Sequence, residues 1–245
     1  MFKWLPTLGL TILLGLIWEG LGSDAYGAVI PPLSSVLMEM GRAPYALLEA
    51  SGITLVEALM GFALGACFGL FMGILFAEVR VIERLLSPIF VISQSIPIVA
   101  FGALIIIWFG NGILSKVMIS FYLTFFPVSV YTHRGLIAVS DDRLNLLRSF
   151  GASRWMTFWK LRLPFAMPSI MTSLILGSSL SLVGAIVGEW FGANKGLGIR
   201  LVQAMYSENV AGIWAVIIAC GIIGVGFYGI LTAVQKRWVW WEGES

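Results

Sequence analysis

Three glutamates, Glu19, Glu57 and Glu189, stand inside or beside long apolar segments of the sequence. Removing a carboxylate from water is costly, so an ionisable group in such a segment is by default a candidate for contact with a solute or an ion. The same carboxylates can instead reach the edge of an apolar layer or pair with Lys195 or Arg200. We predict Glu57 and Glu189 as candidates for the lining of a translocation path, with the structural pairing as the alternative.

Gln94 lies about one helical turn before Pro97 in another apolar segment. Proline lacks a backbone N–H, so a helix that runs through this segment is expected to kink or break near Pro97. Backbone groups freed at a break need partners, and the glutamine amide can both donate and accept hydrogen bonds. We predict Gln94 and Pro97 as further path candidates, with hydrogen bonding between helices as the alternative for Gln94.

Motifs of catalytic and metal sites are absent from the sequence. Its single histidine cannot form a metal cluster alone, and Cys67 and Cys220 lie in apolar stretches where a thiol acts as a small hydrophobe. The phosphate-binding loop G-x-x-x-x-G-K-[ST], the zinc-protease motif and the serine elbow are all missing. We therefore expect no catalytic residue, no metal and no cofactor in this chain, and an enzyme is the least favoured class.

The candidate residues belong to a chain whose main solvent is lipid. Hydrophobic residues make up 59% of the 245 residues and charged residues only 11%, and the mean hydropathy is +0.94. These values lie far outside those of soluble domains. The basic residues are dispersed and the net charge is only +2, which gives no footprint for nucleic acid. The composition predicts an all-α, polytopic membrane protein surrounded by lipid.

About six apolar stretches are long enough for a helix to cross the hydrocarbon layer. By residue number they are 5–21, 54–77, 86–109, 115–131, 164–191 and 212–234. Most basic residues, from Lys3 to Arg237, fall in the segments that would share one face, so the positive-inside rule places both termini in the cytoplasm. We expect a multi-pass protein of a bacterial inner membrane. A secretory signal is the alternative for the first stretch, although no clean A-x-A cleavage site follows it.

Glycines at every fourth residue predict how the second stretch packs. Gly61, Gly65, Gly69 and Gly73 share one helix face and allow another helix backbone to approach closely. We expect this packing within one subunit, with a seam between two subunits as the alternative.

The longest polar segment, residues 132–163, joins the fourth and fifth stretches. Apolar residues at near-helical spacing alternate there with basic residues, and the pattern is interrupted at Gly151. We predict two short helices, with Gly151 forming the turn and Ser153 capping the second helix. Such a segment is either an amphipathic helix on the lipid surface or a docking surface for a soluble partner.

Part of this segment, NLLRSFGASRWMTFWKLRLP over residues 145–164, resembles the coupling-helix signature of binding-protein-dependent ABC permeases. That signature has an EAA triplet, then glycine, then I-x-L-P, and here Asn-Leu-Leu stands in place of the triplet. The positions that correspond to coupling to an ATPase are Asn145, Leu146, Leu147, Gly151, Ala152, Ser153, Leu161, Leu163 and Pro164. Other segments resemble the nitrate/sulfonate/taurine branch of these permeases, namely residues 54–62, 94–97, 108–112, 125–127 and 188–198.

The resemblance implies the permease subunit of a type I importer with the MetI-like fold. Two ABC ATPase subunits would carry ATP and Mg²⁺, and a periplasmic or lipid-anchored binding protein would deliver a small solute. A second permease subunit would complete the path, and we take it as an identical copy, although a different one fits equally. The cargo would be nitrate, a sulfonate, taurine, a pyrimidine precursor or a flavin, and the residues do not choose among them.

The same resemblance divides the chain into three parts. Residues 1–50 would be an N-terminal transmembrane helix with an outward linker, and residues 51–237 the ABC transmembrane domain with its coupling helix near 143–163. Residues 238–245 would be a cytoplasmic tail.

Two other classes of membrane protein compete with this interpretation. A secondary transporter predicts inverted repeats and paired ionisable residues near the bilayer midplane, and neither is found in the sequence. A membrane scaffold or vitamin-importer subunit without this coupling geometry is disfavoured by the spacing from Gly151 to Pro164.

Overall fold

The computed structural model describes residues 5–23 and 29–241, and over these residues the chain is helical without a strand. The first helices are α1 (Leu5–Ser23), α2 (Leu33–Arg42), α3 (Pro44–Glu78), α4 (Arg80–Gln94), α5 (Ile98–Phe109) and α6 (Ile113–Ile137). They are followed by α7 (Asp141–Ser149), α8 (Arg154–Thr157), a π-helical turn (Phe158–Arg162), α9 (Leu163–Trp190), α10 (Leu197–Tyr206) and α11 (Val210–Trp238). The predicted all-α class is confirmed.

Four continuous helical segments within the described residues are long and apolar enough to cross a membrane: α3, α6, Arg154–Trp190 and α11. They correspond to the second, fourth, fifth and sixth stretches predicted from the sequence. The first stretch corresponds to α1, whose apolar part, Ile12–Gly22, is shorter than these. The third stretch divides between α4 and α5, which together count as a fifth span if the bent pair crosses the membrane.

The break between α4 and α5 is much sharper than a proline kink, because the two helices bend by 102°. Pro97 directly precedes the first residue of α5, where its missing N–H removes no helical hydrogen bond. The hydroxyl of Tyr122 on α6 donates to the carbonyl of Ser93 near the end of α4. The carbonyl of Ser93 at the break is thus satisfied by a neighbouring helix, as a backbone interruption among apolar helices requires.

Glycines bring α3, α6 and α9 into close contact. A Cβ added at Gly61 would overlap the side chain of Ser120 on α6, and one at Gly184 would lie 2.6 Å from the Cα of Ser120. Gly65 faces Thr124 in the same way. α6 is therefore enclosed between α3 and α9, and the predicted glycine face packs inside the subunit, where it cannot serve as a seam with a second one.

Helices occupy segments that the sequence pattern leaves as connections. α2 and α10 are short amphipathic helices in these connections, and α3 begins at Pro44, ten residues before the predicted stretch. The carboxylate of Glu19 on α1 accepts hydrogen bonds from the backbone N–H of Ser34 at 2.9 Å and from its hydroxyl at 2.6 Å. Glu19 thus fixes the first turn of α2 and has a structural role in this subunit.

Candidate functional site

The segment from Asp141 to Arg162 forms the candidate coupling surface, at the end of the molecule where α3 and α6 finish. Asp141 and Asp142 occupy the first turn of α7, where negative charge suits the helix dipole. Beyond the last residue of α7, the N–H of Gly151 donates to the carbonyl of Arg148 at 2.9 Å, and that of Ala152 to Leu147 at 3.1 Å. Gly151 has φ +76°, so the turn needs a residue that tolerates the left-handed region.

Ser153 caps the helix that follows this turn. Its hydroxyl oxygen accepts a hydrogen bond from the N–H of Met156 at 3.2 Å, which satisfies a first-turn donor. α8 does not end as a separate short helix, however, and the helical segment continues from Arg154 to Trp190. The prediction of a second free-standing helix is therefore wrong, since the fifth span starts ten residues before Pro164.

The continuous segment contains the π-helical turn from Phe158 to Arg162. Pro164 cannot donate to the carbonyl of Lys160, and its ring would clash with that carbonyl in a regular α-helix. The π turn widens the helix at this point, and the N–H of Leu163 reaches the carbonyl of Phe158. The L-x-L-P residues thus mark the place where a widened turn, the last part of the coupling surface, meets α9.

Exposed apolar side chains project from the coupling surface, and two of them, Trp155 and Trp159, pack edge to face at 5.4 Å between ring centroids. Phe150 is 80% exposed and Trp155 is 72% exposed, and Leu146 and Trp159 are also exposed. Grouped exposed apolar side chains of this size mark a contact with protein or membrane. Of the remaining predicted coupling residues, those that are exposed are Asn145, Gly151 and Ser153, and those that are half-buried are Leu147, Ala152, Leu161, Leu163 and Pro164.

Arg162 attaches the coupling surface to the ends of two transmembrane helices. Its guanidinium donates to the carboxylate of Glu78 and, at 3.4 Å, to the carbonyl of Ala77 on α3. Its Nε donates to the carbonyl of Leu136 on α6 at 3.0 Å. The sequence signature does not mark Arg162, because I-x-L-P leaves this position variable. The acidic residue Glu78, directly after the second apolar stretch, is the one feature of the sequence that indicates a partner for a basic residue such as Arg162.

A cleft of about 490 Å³ opens between the ends of α3 and α6 and the coupling surface. Its lining includes Arg80, Arg148 and Arg154 together with Glu78 and Glu83. Basic residues from the connections after the second and fourth predicted spans are therefore brought to one end of the molecule. This common location is what the predicted topology requires.

Gln94 and Pro97 lie on either side of the break between α4 and α5. The Nε2 atom of Gln94 is buried and has no hydrogen-bond partner among the described residues, whereas Pro97 is exposed. The break therefore contains a buried amide donor that the described residues leave unsatisfied.

Glu57 and Glu189 lie inside the subunit, in a buried polar cluster that also contains Thr54 and Lys116. Glu189 is 0% exposed, and the cluster lies among α3, α6 and α9. The hydroxyl of Thr54 donates to Glu189 Oε1 at 2.6 Å, and Lys116 is the ammonium group that interacts electrostatically with both carboxyl groups.

The alternative in which one of these glutamates pairs with Lys195 is not found. Lys195 instead lies with its Nζ 2.6 Å from Glu49 Oε1. The neighbours of Glu189 are instead Thr54 and Lys116, which lie far from it in the sequence. The packing of α3, α6 and α9 brings the three residues together.

Asn111 links this cluster to the connection after α9. Its Oδ1 accepts a hydrogen bond from Lys116 Nζ at 2.6 Å, and its Nδ2 donates to the carbonyl of Gly192. Two connections at the end opposite the coupling surface are therefore joined through one amide side chain.

Known proteins resemble this chain over most of its length. Residues 65–240 match the model of a family described as the binding-protein-dependent transport system inner membrane component. A probable ABC transporter permease protein of Haemophilus influenzae is 32% identical over 96% of this chain and 96% of its own length. The formylaminopyrimidine transport permease protein ThiX of Halalkalibacterium halodurans is 32% identical over 77% and 76%. The taurine transport system permease protein TauC of Escherichia coli is 28% identical over 88% and 78%.

The fold is similar to that of a solved chain from the MetNI methionine ABC transporter in inward-facing conformations. The TM-score is 0.59 at 20% identity, and the match covers 80% of this chain and 97% of that chain. At this level of identity the likeness shows the fold, and the predicted MetI-like fold is confirmed.

Proposed function

This chain belongs to the family of binding-protein-dependent transport system inner membrane components and is the permease subunit of an ABC importer, and we propose that separate ATPase subunits dock on its coupling surface. The combination that supports this proposal is an exposed apolar patch on a firmly attached segment. Phe150 and Trp155 are 80% and 72% exposed in the subunit, and Arg162 ties their segment to α3 and α6. An amphipathic helix that only rests on lipid has no need of such an attachment.

The proposed assembly has two ATPase subunits at the coupling surface and a second, identical permease subunit beside this one. ATP and Mg²⁺ belong to the ATPases, so this chain performs no hydrolysis. The substrate-binding protein docks at the opposite end, near α2 and α10. The coupling surface and both termini face the cytoplasm of a bacterial cell, although Lys3 and residues 242–245 of the predicted tail lie outside the described residues.

We propose that the break between α4 and α5 lines part of the translocation path. Gln94 contributes an amide donor there that the described residues leave unpaired, and Pro97 is exposed. Glu57 and Glu189 are enclosed among helices of the same subunit, which supports a structural role for them.

The proposed cargo is a small polar organic solute. One relative carries a printed name for formylaminopyrimidine transport and another for taurine transport, at 32% and 28% identity. Uptake of a labelled pyrimidine precursor and of labelled taurine by proteoliposomes that contain the complete transporter would distinguish the two. Uptake of neither solute would contradict the proposed cargo class.

The coupling proposal is tested by paired substitutions at Gly151, in the purified transporter in lipid nanodiscs. Because Gly151 has φ +76° and open space around it, Gly151→Val is strained by its backbone and not by its neighbours. Asparagine tolerates this region, so Gly151→Asn is the matched control. We expect Gly151→Val to lower ATP hydrolysis stimulated by the loaded binding protein about tenfold, while Gly151→Asn keeps most of it.

Vanadate-sensitive hydrolysis with and without the loaded binding protein is the measurement. If no ATPase copurifies with the wild-type chain, or if Gly151→Val hydrolyses like the wild type, the coupling surface has been assigned wrongly.

A further inference from the structure

The first turn of α10 is held by side chains from two other helices. The N–H of Leu197 donates to the hydroxyl oxygen of Thr54 on α3 at 2.9 Å, and the N–H of Gly198 donates to the carboxylate of Glu189 on α9. Thr54 in turn donates to Glu189 at 2.6 Å. Donors that every isolated helix leaves unpaired at its start are here satisfied by one connected pair of side chains.

Two glycines allow this close approach. Gly196 has φ +124°, and a Cβ at this position would overlap the carboxylate of Glu189. A Cβ at Gly198 would overlap the carbonyl of Ile186 on α9. The start of α10 is therefore seated directly on α9, with no room for a side chain between the two backbones.

Leu197 anchors the same turn in an apolar cluster. It is fully buried and packs with Ala50 of α3 and with Val216 and Ala219 of α11. The first turn of α10 is thus fixed to three transmembrane helices, by polar bonds on one side and apolar contacts on the other.

The far end of α10 carries exposed side chains on one face, while Ala204 on the other face is buried against Gly212 of α11. Tyr206 is 87% exposed, Met205 is also exposed, and a cavity of about 350 Å³ lies between α2, α10 and α11. α10 is therefore anchored by its first turn, and its last turn presents Met205 and Tyr206 to the outside, in the region where the binding protein is proposed to dock.

α9 connects α10 to the coupling surface at the opposite end of the molecule. It begins directly after Arg162 and carries Glu189 in its last turn, which over 28 residues is a rod of about 42 Å. A helix packed along its length moves largely as one body, so a displacement of α10 can reach the π turn only if α10 is firmly attached to α9.

We propose that Thr54 and Glu189 form a latch that makes α10 move together with α3 and α9, so that contact of the loaded binding protein with α10 is passed to the coupling surface. This inference rests on the proposed function, because it assumes an ATPase at the coupling surface. Both latch residues are positioning residues and contact no cargo.

The test compares Thr54→Val with Thr54→Ser in the complete transporter in nanodiscs. Valine keeps the shape of threonine and removes the hydroxyl, whereas serine keeps the hydroxyl. Thr124→Val is the matched control, because Thr124 is equally buried but bonds Ser120 and Gly177, away from α10.

Two quantities are measured, namely amide hydrogen exchange of residues 197–206 and the concentration of loaded binding protein that gives half-maximal ATPase stimulation. We expect Thr54→Val to raise both the exchange rate and this concentration by about tenfold, since it removes two hydrogen bonds of the latch. Thr54→Ser and Thr124→Val are expected to stay within about twofold of the wild type.

The latch is overturned if Thr54→Val exchanges in α10 like the wild type, or if Thr124→Val shifts the half-maximal concentration as far as Thr54→Val does. A failure of the proposed function looks different, because the wild-type complex itself then shows no stimulation. In that case the exchange measurement still decides whether the latch exists.

Discussion

Arg162 shows how a single side chain can join the coupling surface, the proposed docking site, to a transmembrane bundle. Its ion pair with Glu78 is partly exposed, with 17% and 41% of the two side chains accessible, so the charge attraction alone contributes little. The larger effect comes from geometry, since the planar guanidinium reaches acceptors on α3 and α6 at the same time. Arg162 therefore fixes the orientation of the coupling surface.

Replacing Arg162 is expected to weaken coupling in steps. Arg162→Lys keeps a charge for Glu78 but cannot also reach the carbonyls of Ala77 and Leu136, so stimulated ATP hydrolysis should fall about threefold. Arg162→Gln loses the charge too, and the fall should be about tenfold. Hydrolysis by the nanodisc complex with the loaded binding protein measures both effects.

Arg237→Gln is the control for these substitutions, because Arg237 is an exposed arginine in the last turn of α11. Equal losses in Arg162→Gln and Arg237→Gln would mean that the number of positive charges matters and the attachment of Arg162 does not.

The structural roles of some residues can be predicted from their neighbours in the sequence, whereas the roles of others cannot. Gly151 and Ser153 stand in a turn whose hydrogen bonds join residues at most five apart, so their types and spacing suffice to predict its geometry. Thr54 and Glu189 are 135 residues apart, and their hydrogen bond exists only because α3 and α9 pack together. No pattern in the sequence can supply such a pair.

At the scale of helices, close packing at glycines, and not the hydrophobic effect, holds neighbouring helices together. Lipid tails solvate apolar side chains as well as another helix does, so close backbone packing provides much of the attraction. α6 is packed in this way from both sides, with Gly61 of α3 and Gly184 of α9 meeting at Ser120. A small increase in volume at this point has no space to occupy.

Gly61→Ala is therefore expected to destabilise the subunit by about 1–3 kcal/mol, the usual cost of overpacking. Gly52→Ala in the same helix is the control, because Gly52 is exposed and nothing lies within 4 Å of the added Cβ. It should leave the subunit at least as stable as the wild type, with a gain of up to about 1 kcal/mol from helix propensity.

Unfolding of both variants by a denaturing detergent, followed by tryptophan fluorescence, measures the difference. Equal stability of the two variants would show that α3 can move away from α6 without cost.

Length and hydropathy predict the long helices α3, α6, α9 and α11, because spanning a lipid layer imposes both. They do not predict α2 or α10, which are short and amphipathic, and whose stability comes from neighbours such as Glu19 and Glu189. Pro97 predicts the position of the break between α4 and α5, but its 102° bend depends on packing against α6.

At the scale of the molecule, two polar ends are joined by one helix. The coupling surface lies where α3 and α6 end, and the latch lies where α9 ends, so α9 connects the proposed ATPase contact with the proposed binding-protein contact. The bundle of α3, α6 and α9 between them is held by glycine packing. This arrangement works as an importer in only one orientation, with the coupling surface in the cytoplasm.

The orientation can be measured with two cysteine substitutions of matched exposure, Tyr206→Cys at the end of α10 and Phe150→Cys on the coupling surface. These side chains are 87% and 80% exposed, so both thiols would be accessible to a reagent on their own side of the membrane. Replacing Cys67 and Cys220 by serine leaves the new thiol as the only one in the chain.

In intact spheroplasts, a membrane-impermeant maleimide is expected to label Tyr206→Cys and to leave Phe150→Cys unlabelled until the membrane is permeabilised. The distribution of positive charge supports this result, since Arg80, Arg148 and Arg154 gather at the end that carries Phe150. The opposite labelling pattern would place the coupling surface outside the cell, where no ATP is available. It would then contradict the orientation, the ATPase contact and the direction of transport together.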